Sequence, residues 1–263
     1  MKFQFLVSSL NRHPHELLEE MNIRFPAIVI NQCDSMAAKQ VQFNGANVLW
    51  IDFPDRGIGT SRNEALMRAA GDIVLFCDED CSYFENTGEI IVKEFDSHSD
   101  ADIILFDLIP EGVPSKRKTL RITSEKRVRR HSFMRYGAVH IAARLASLKK
   151  NDIYFSQLFG GGAQYSCGED SAFLKRCLDS GLRIITSPVT VGTVDFSSSS
   201  WFDGYSNQYF NDQGALYYRL FGKGHVILSL RAAVKHTLAS GSVKQGLHAL
   251  RLMNKGANDY GSR

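Results

Sequence analysis

Residues 56–81 read RGIGTSRNEALMRAAGDIVLFCDEDC. Gly57 and Gly59 open a glycine loop, and a helix follows. Ser61 and Glu64 have capping-box spacing, and Gly71 stands where the helix should stop. Ile73 to Cys77 is apolar without alternation, as expected of a central strand covered on both faces. Asp78, Glu79 and Asp80 then come in a row. Carboxylates this close repel one another unless a cation or a ligand lies between them. Ligands of open α/β sheets bind beyond the carboxyl ends of the strands, and the triplet sits at such an end. Strand alternation turns Asp78 and Asp80 the same way and Glu79 the other. Two hard oxygen ligands at this spacing suit Mg²⁺ or Mn²⁺ shared with a diphosphate.

Outward from this segment, strand and helix alternate. Phe3 to Val7, Pro26 to Asn31, Val48 to Phe53 and Ile103 to Ile109 read as strands, and Glu16 to Met21 and Thr87 to Asp96 as helices. This order predicts an open α/β sheet. Val113 to Phe133 is basic and aperiodic, and reads as a mobile loop. Ala138 to Ala143 returns as a strand. Gly160 to Gly162 forms a flexible turn, and Gly168 to Ser180 a helix ended by Gly181. Leu182 to Thr186 and Val189 to Val194 read as two further strands. From Trp201 the chain looks helical, best over Val226 to Leu238 and Val243 to Met253. We expect a catalytic unit over residues 1–200 and a basic helical extension over 201–263.

The 263 residues, 44% hydrophobic and 22% charged, can bury a full core. A net charge of +3 leaves partners open, but two segments are locally basic. One holds Lys116, Arg117, Lys118, Arg121, Lys126, Arg127, Arg129 and Arg130. The other runs from Arg219 to Arg263, with Asp259 as its only acid. Aromatic residues are sparse in the first segment, which argues against nucleic acid. The second could rest on an acidic membrane, a neighbouring domain or a second subunit. Five cysteines, with no CxxC pair, suggest neither zinc nor disulfides, and a reducing cytoplasm is expected. No signal peptide or membrane span is apparent.

A second acidic station, Gly168-Glu169-Asp170, opens a helix after the glycine triplet. Acids are common there for dipole reasons alone, but an ionised carboxylate within reach of a hydroxyl could also act as a general base. The helix terminus is expected to keep it ionised at neutral pH. Arg62, in the first turn of its helix, opposes the helix dipole, and something negative nearby would offset that cost.

Gly59, Ser61-Arg62-Asn63, Gly71-Asp72, Asp78-Glu79-Asp80, then Gly168-Glu169-Asp170, Phe173 to Arg176 and Gly181, taken in order, resemble the inverting glycosyltransferases of family 2. The likeness covers roughly residues 1–200. Phe159 to Ala163, Ser200-Trp201-Phe202 and Gly204-Tyr205 look like bacterial members that build capsule or cell-surface glycans. The resemblance implies a GT-A fold: a Rossmann-like open mixed sheet flanked by helices. It implies a nucleotide-sugar donor, most readily a UDP-sugar, a Mn²⁺ or Mg²⁺ ion, and a glycan or lipid-linked acceptor. Asp170 would be the catalytic base, with Glu169 beside it at the acceptor. Asp78 and Asp80 would hold the metal. Ser8, Asn11, Asp34, Arg62, Asp78 and Glu79 would surround the nucleotide. Two departures stand out. Asn31-Gln32-Cys33 occupies the place where relatives often carry an Asp for uracil, shifting Asp34. No late His is found near Val189 to Phe196, where Asp195 is the nearest polar substitute. Contact with the inner face of the plasma membrane through the C-terminal helices is compatible with this reading, as is an oligomer. The rival readings are a sugar-phosphate nucleotidyltransferase, although Ser8 to His13 lacks its glycine-rich loop, and a non-catalytic nucleotide-sugar-binding module.

Overall fold

A computed structural model describes residues 1–113, 119–197 and 204–262. Lys116, Arg117 and Lys118 of the first basic segment, the Ser200-Trp201-Phe202 motif and Arg263 lie outside them. In chain order the elements are β1 (Phe3–Leu10), α1 (Pro14–Glu20), β2 (Ala27–Gln32), β3 (Ala37–Phe43), β4 (Ala46–Phe53), α2 (Ile58–Arg68), β5 (Ile73–Asp78), β6 (Cys81–Tyr83), α3 (Thr87–Ser97), β7 (Ile103–Glu111), β8 (Lys126–Arg127), β9 (Ile141–Arg144), α4 (Leu145–Lys150), α5 (Glu169–Asp179), β10 (Ile184–Asp195), α6 (Asn207–Phe221), α7 (His225–Ser240) and α8 (Val243–Gly261).

The strands form one sheet in the order β3-β4-β2-β1-β5-β9-β7-β10-β6, with β8 paired to β10. β4, β2, β1 and β5 run parallel, as do β7 and β10, while β9 lies antiparallel between these two groups. This is the mixed, helix-flanked GT-A architecture that the resemblance implied. One face of the sheet is packed by α2 and α5 around Phe76, Phe155 and Phe173, the last two stacked at 4.1 Å. The other is packed by α1 and α3 around Phe5, Trp50, Tyr83 and Phe95. Ala215, Leu216 and Leu220 of α6 join the first of these clusters, so the C-terminal helices share the core of the sheet.

Several local expectations fail for identifiable reasons. Helix α2 begins at Ile58, after Gly57 at φ +120°, so Ser61 lies inside it, turned onto Ser8 rather than capping. It ends at Arg68 with Ala69 extended, before Gly71. Asp78 is the last residue of β5, and Glu79 and Asp80 form a turn. The alternation invoked for Asp78 and Asp80 therefore stops at Asp78. Three strands were not anticipated, β3, β6 and the two-residue β8 within the basic loop. β3 is mostly exposed, with only Val41 and Phe43 partly buried against the core, but Asn44 and Gly45, at φ +48° and +79°, close the tight hairpin to β4 that an Asn-Gly pair favours. β6, directly after the acidic triplet, is only three residues long.

The stretch from 119 to 133 is held in place rather than mobile. Asp107, buried in β7, needs partners, and takes two Arg121 nitrogens and the Ile122 backbone N–H at 2.7 Å. Ile122, Val128 and Phe133 are buried. The two late strands are one, β10, whose register against β7 slips between Thr186 and Thr190, around exposed Pro188. The strand expected from Ala138 starts at Ile141, after a short 3-10 turn over Ala138–His140.

Candidate active site

Two glycine-rich segments bring the acidic stations together. Gly57 and the turn from Gly160 to Gly162 lie backbone to backbone: the Ile58 N–H donates to the Gly161 carbonyl at 2.9 Å, and a Cβ at Gly162 would lie 3.1 Å from the Gly57 nitrogen. Gly160 and Gly168 have φ of +107° and +108°, which an L side chain rarely adopts. A Cβ on Gly160 would meet the Glu169 carboxylate, and one on Gly168 would meet Leu216. The start of α5 is thereby laid against the start of α2.

Arg62 occupies the junction. It is only 2% exposed and lies 5.2 Å from the centre of the Phe155 ring. Its Nη2 donates to both oxygens of Asp78 at 2.9 and 3.0 Å. Its Nη1 donates to Glu169 at 3.1 Å and to Asp170 at 2.9 Å. The negative partner expected near this arginine is supplied three times over by the chain itself. Burial works against the guanidinium charge, but the three carboxylates outweigh it and hold the pKa above its ordinary value. The next residue, Asn63, braces the wall by bonding both the N–H and the carbonyl of Phe155. No role was assigned to Asn63 from the sequence, because its partner lies 92 residues away.

The acids differ in state. Burial, then repulsion from Glu169, pushes Asp170 up to about 8, although Arg62 pulls it down and the Ala138 N–H helps. The expectation of an ordinary ionised carboxylate at a helix terminus is corrected here: the dipole of α5 is outweighed by burial beside a second acid. Asp170 retains 26% of its side-chain surface, so one edge remains open to a substrate. Burial, then Asp78, pushes Asp80 up to about 6. Three carboxylates thus share the Arg62 charge, and Asp80 beside Asp78 adds a fourth acid to the same edge, an arrangement that favours a cation.

The other candidates are placed as follows. Ser8 is buried opposite Asp78 in the β1–β5 pairing and takes a hydrogen bond from Ser61 Oγ at 2.9 Å. Asn11, at φ +51°, follows β1 and lines an open hollow of about 330 Å³ with Arg12, His13, Asn31, Lys39 and Asp52. Asp34 is exposed and paired with Arg56. Glu79 accepts the Leu10 backbone N–H at 3.0 Å, stapling the ends of β1 and β5. Gln32, read from the sequence only as part of the segment at the end of the second strand, has an Oε1 that accepts the Gly57 N–H at 2.8 Å while Arg56 binds its carbonyl, tying the glycine loop to β2. The Asp195 N–H donates to the Asp80 carbonyl at 2.9 Å, but its carboxylate is held by the hydroxyl and N–H of Ser197.

Among the described residues no three or more His, Cys, Asp or Glu side chains stand together as a metal cage. Asp80 nevertheless fits a divalent ion: its ionisation is opposed by neighbouring Asp78 and would be relieved by a cation, and its surface is open to one. Mg²⁺ and Mn²⁺ are commonly held by one or two carboxylates with the remaining ligands from substrate phosphates and water.

The sequence model described as glycosyl transferase family 2 matches residues 17–154, just over half of the chain. The chain belongs to glycosyl transferase family 2. The matched part of this family 2 glycosyltransferase includes Arg62 and Asp78 to Asp80 and stops before Glu169 and Asp170. Among solved structures, S. aureus TarS 1-349 in complex with UDP-GlcNAc aligns with a TM-score of 0.61 and 16% identity, over 100% of this chain and 92% of that one. S. aureus TarS 1-349 in complex with UDP aligns with a TM-score of 0.56 and 19% identity, over 86% and 69%. At these identities the likeness is one of fold. Comparison with curated proteins returned no match.

Proposed function

We propose that this family 2 transferase moves a sugar from a UDP-sugar to a hydroxyl of a glycan or lipid-linked acceptor, with inversion at the anomeric carbon, in the synthesis of a bacterial surface polysaccharide. The observation that carries the chemistry is Asp170, a partly open carboxylate raised to about 8 and joined through Arg62 to Asp78 at the sheet edge. The UDP and UDP-GlcNAc carried by the two TarS structures support a uridine donor. The residues near the ends of β1 and β2 (Ser8, Asn11 and Asp34) are assigned to the nucleoside.

Asp170 takes the proton of the acceptor hydroxyl as its oxygen bonds to the anomeric carbon, and the bond from that carbon to the diphosphate oxygen breaks. The electron pair leaves with the nucleoside diphosphate. A base with a pKa near the working pH is well matched to this task. Glu169 borders the acceptor side and keeps Asp170 basic. Arg62 holds both acids and Asp78 in one frame, which fixes the base relative to the donor edge. Asp80 and Asp78 would hold Mg²⁺ or Mn²⁺, which neutralises charge on the departing diphosphate when bound.

The test is product analysis with a panel of UDP-sugars and acceptors. Release of UDP with transfer is expected, and Asp170→Asn is expected to lower kcat by about 10²–10⁴-fold while leaving donor binding intact. Pyrophosphate chemistry, or full turnover by both Asp170→Asn and Asp80→Ala, would overturn the proposal.

A further inference from the structure

Helix α7 carries its apolar residues on the outside. Its inner face consists of His225, Ser229 and Ala233, all buried, with Thr237 partly buried. Its large aliphatic residues Val226, Ile227, Leu230, Val234 and Leu238 are exposed, Ile227 by 73% and Leu238 by 80%. On a helix of 3.6 residues per turn these five fall within an arc of about 120°. Exposed Arg231 and Lys235 border that arc.

Helix α8 follows after a two-residue turn and packs closely on α7. A Cβ on Gly246 would lie 1.8 Å from Thr237 Oγ1 and 3.1 Å from the Ala233 carbonyl. Its first turns add exposed Val243 and Leu247, with Lys244 also exposed. From Gln213 to Asn258 the chain holds seven lysines and arginines and not one Asp or Glu.

We propose that the α7–α8 hairpin is a docking surface for an anionic lipid bilayer. The aliphatic stripe enters the boundary between headgroups and acyl chains, and the bordering cations meet lipid phosphates. Charge selects this occupant. A second copy would bring an equally basic hairpin against the first, whereas an anionic membrane offers the opposite sign and an apolar layer beneath it. Attachment is at the interface, since no described helix is long and apolar enough to cross a membrane. The surface is independent of which donor the active site takes.

The full chain is mixed with vesicles of phosphatidylcholine alone, or with vesicles in which phosphatidylglycerol replaces part of it, and bound protein is read after flotation. We expect partition onto the phosphatidylglycerol vesicles, weakened about tenfold by high salt or by the paired change Arg231→Glu with Lys235→Glu. The pair Ile227→Asp with Leu238→Asp is expected to weaken it about tenfold as well. All four side chains are exposed, so an unchanged thermal midpoint will show that the variants remain folded. Absence of partition by the parent chain, or equal partition by both pairs and the parent, would overturn the proposal. A dimer in solution that Ile227→Asp with Leu238→Asp dissociates would also overturn it, by assigning the stripe to a second copy.

Discussion

Removing the Arg62 guanidinium leaves Asp78, Glu169 and Asp170 facing one another without a counter-charge. Loss of one side of a buried ion cluster costs about 3–5 kcal/mol. The low end applies here, because the three carboxylates keep 31%, 12% and 26% of their side chains exposed. Arg62→Met should therefore lower the denaturant midpoint markedly at pH 8 and less at pH 5, where Asp170 is protonated. The unaltered site has its own pH signature. Asp80 at about 6 and Asp170 at about 8 both lie above the carboxylate value of 3.8. The folded chain binds more protons than the unfolded chain above pH 3.8, so their contribution to stability is complete below that value and is lost as pH rises to about 6 and about 8. Thermal midpoints without ligand should fall from pH 5 to pH 8, and Asp170→Asn should flatten the upper part of that fall. The transfer rate should rise as Asp170 loses its proton. The acids were legible in the sequence because they stand in rows at the ends of recognisable elements. The burial of Arg62 was not, because two of its three partners lie 107 and 108 residues away.

At the scale of elements, glycines set the close approaches. A Cβ on Gly214 of α6 would lie 1.8 Å from the Met253 carbonyl of α8, and one on Gly256 of α8 would lie 1.9 Å from the Asn211 carbonyl. Both clashes are with backbone and cannot be relieved by a rotamer change. Gly214→Ala and Gly256→Ala should each destabilise by about 1–3 kcal/mol. The double variant should cost less than the sum, because the first change already separates the helices. Gly161→Ala points into open space and should leave the denaturant midpoint unchanged. The buried strands β1, β2, β5 and β7 were legible from apolar runs that only a two-sided core explains. β3 was not, because its apolar side is short, Val41 and Phe43 only, and its clearest signal was the Asn44-Gly45 turn. The basic loop misled because its charge drew attention from Ile122, Val128 and Phe133, which anchor it.

For the whole molecule, a ligand that binds only the folded chain raises its stability, by about 2.7 kcal/mol at 100 times the dissociation constant. UDP with Mn²⁺ should raise the thermal midpoint more than UDP alone, and Asp80→Ala should remove the difference. The α/β class followed from the alternation of elements, and the mixed sheet from the resemblance. The meeting of the two acidic stations did not, since it depends on the backbone contact between Gly57 and the Gly160–Gly162 turn. The sharing of Arg62 has a kinetic consequence. One guanidinium serves three carboxylates, so if Asp78 were engaged by a bound cation, more of the Arg62 charge would be left to Glu169 and Asp170. The Asp170 carboxylate would then be easier to ionise once a donor is in place. On the proposed function, Arg62 would link donor and acceptor thermodynamically, and initial-rate and product-inhibition kinetics are expected to show donor adding first and acceptor second.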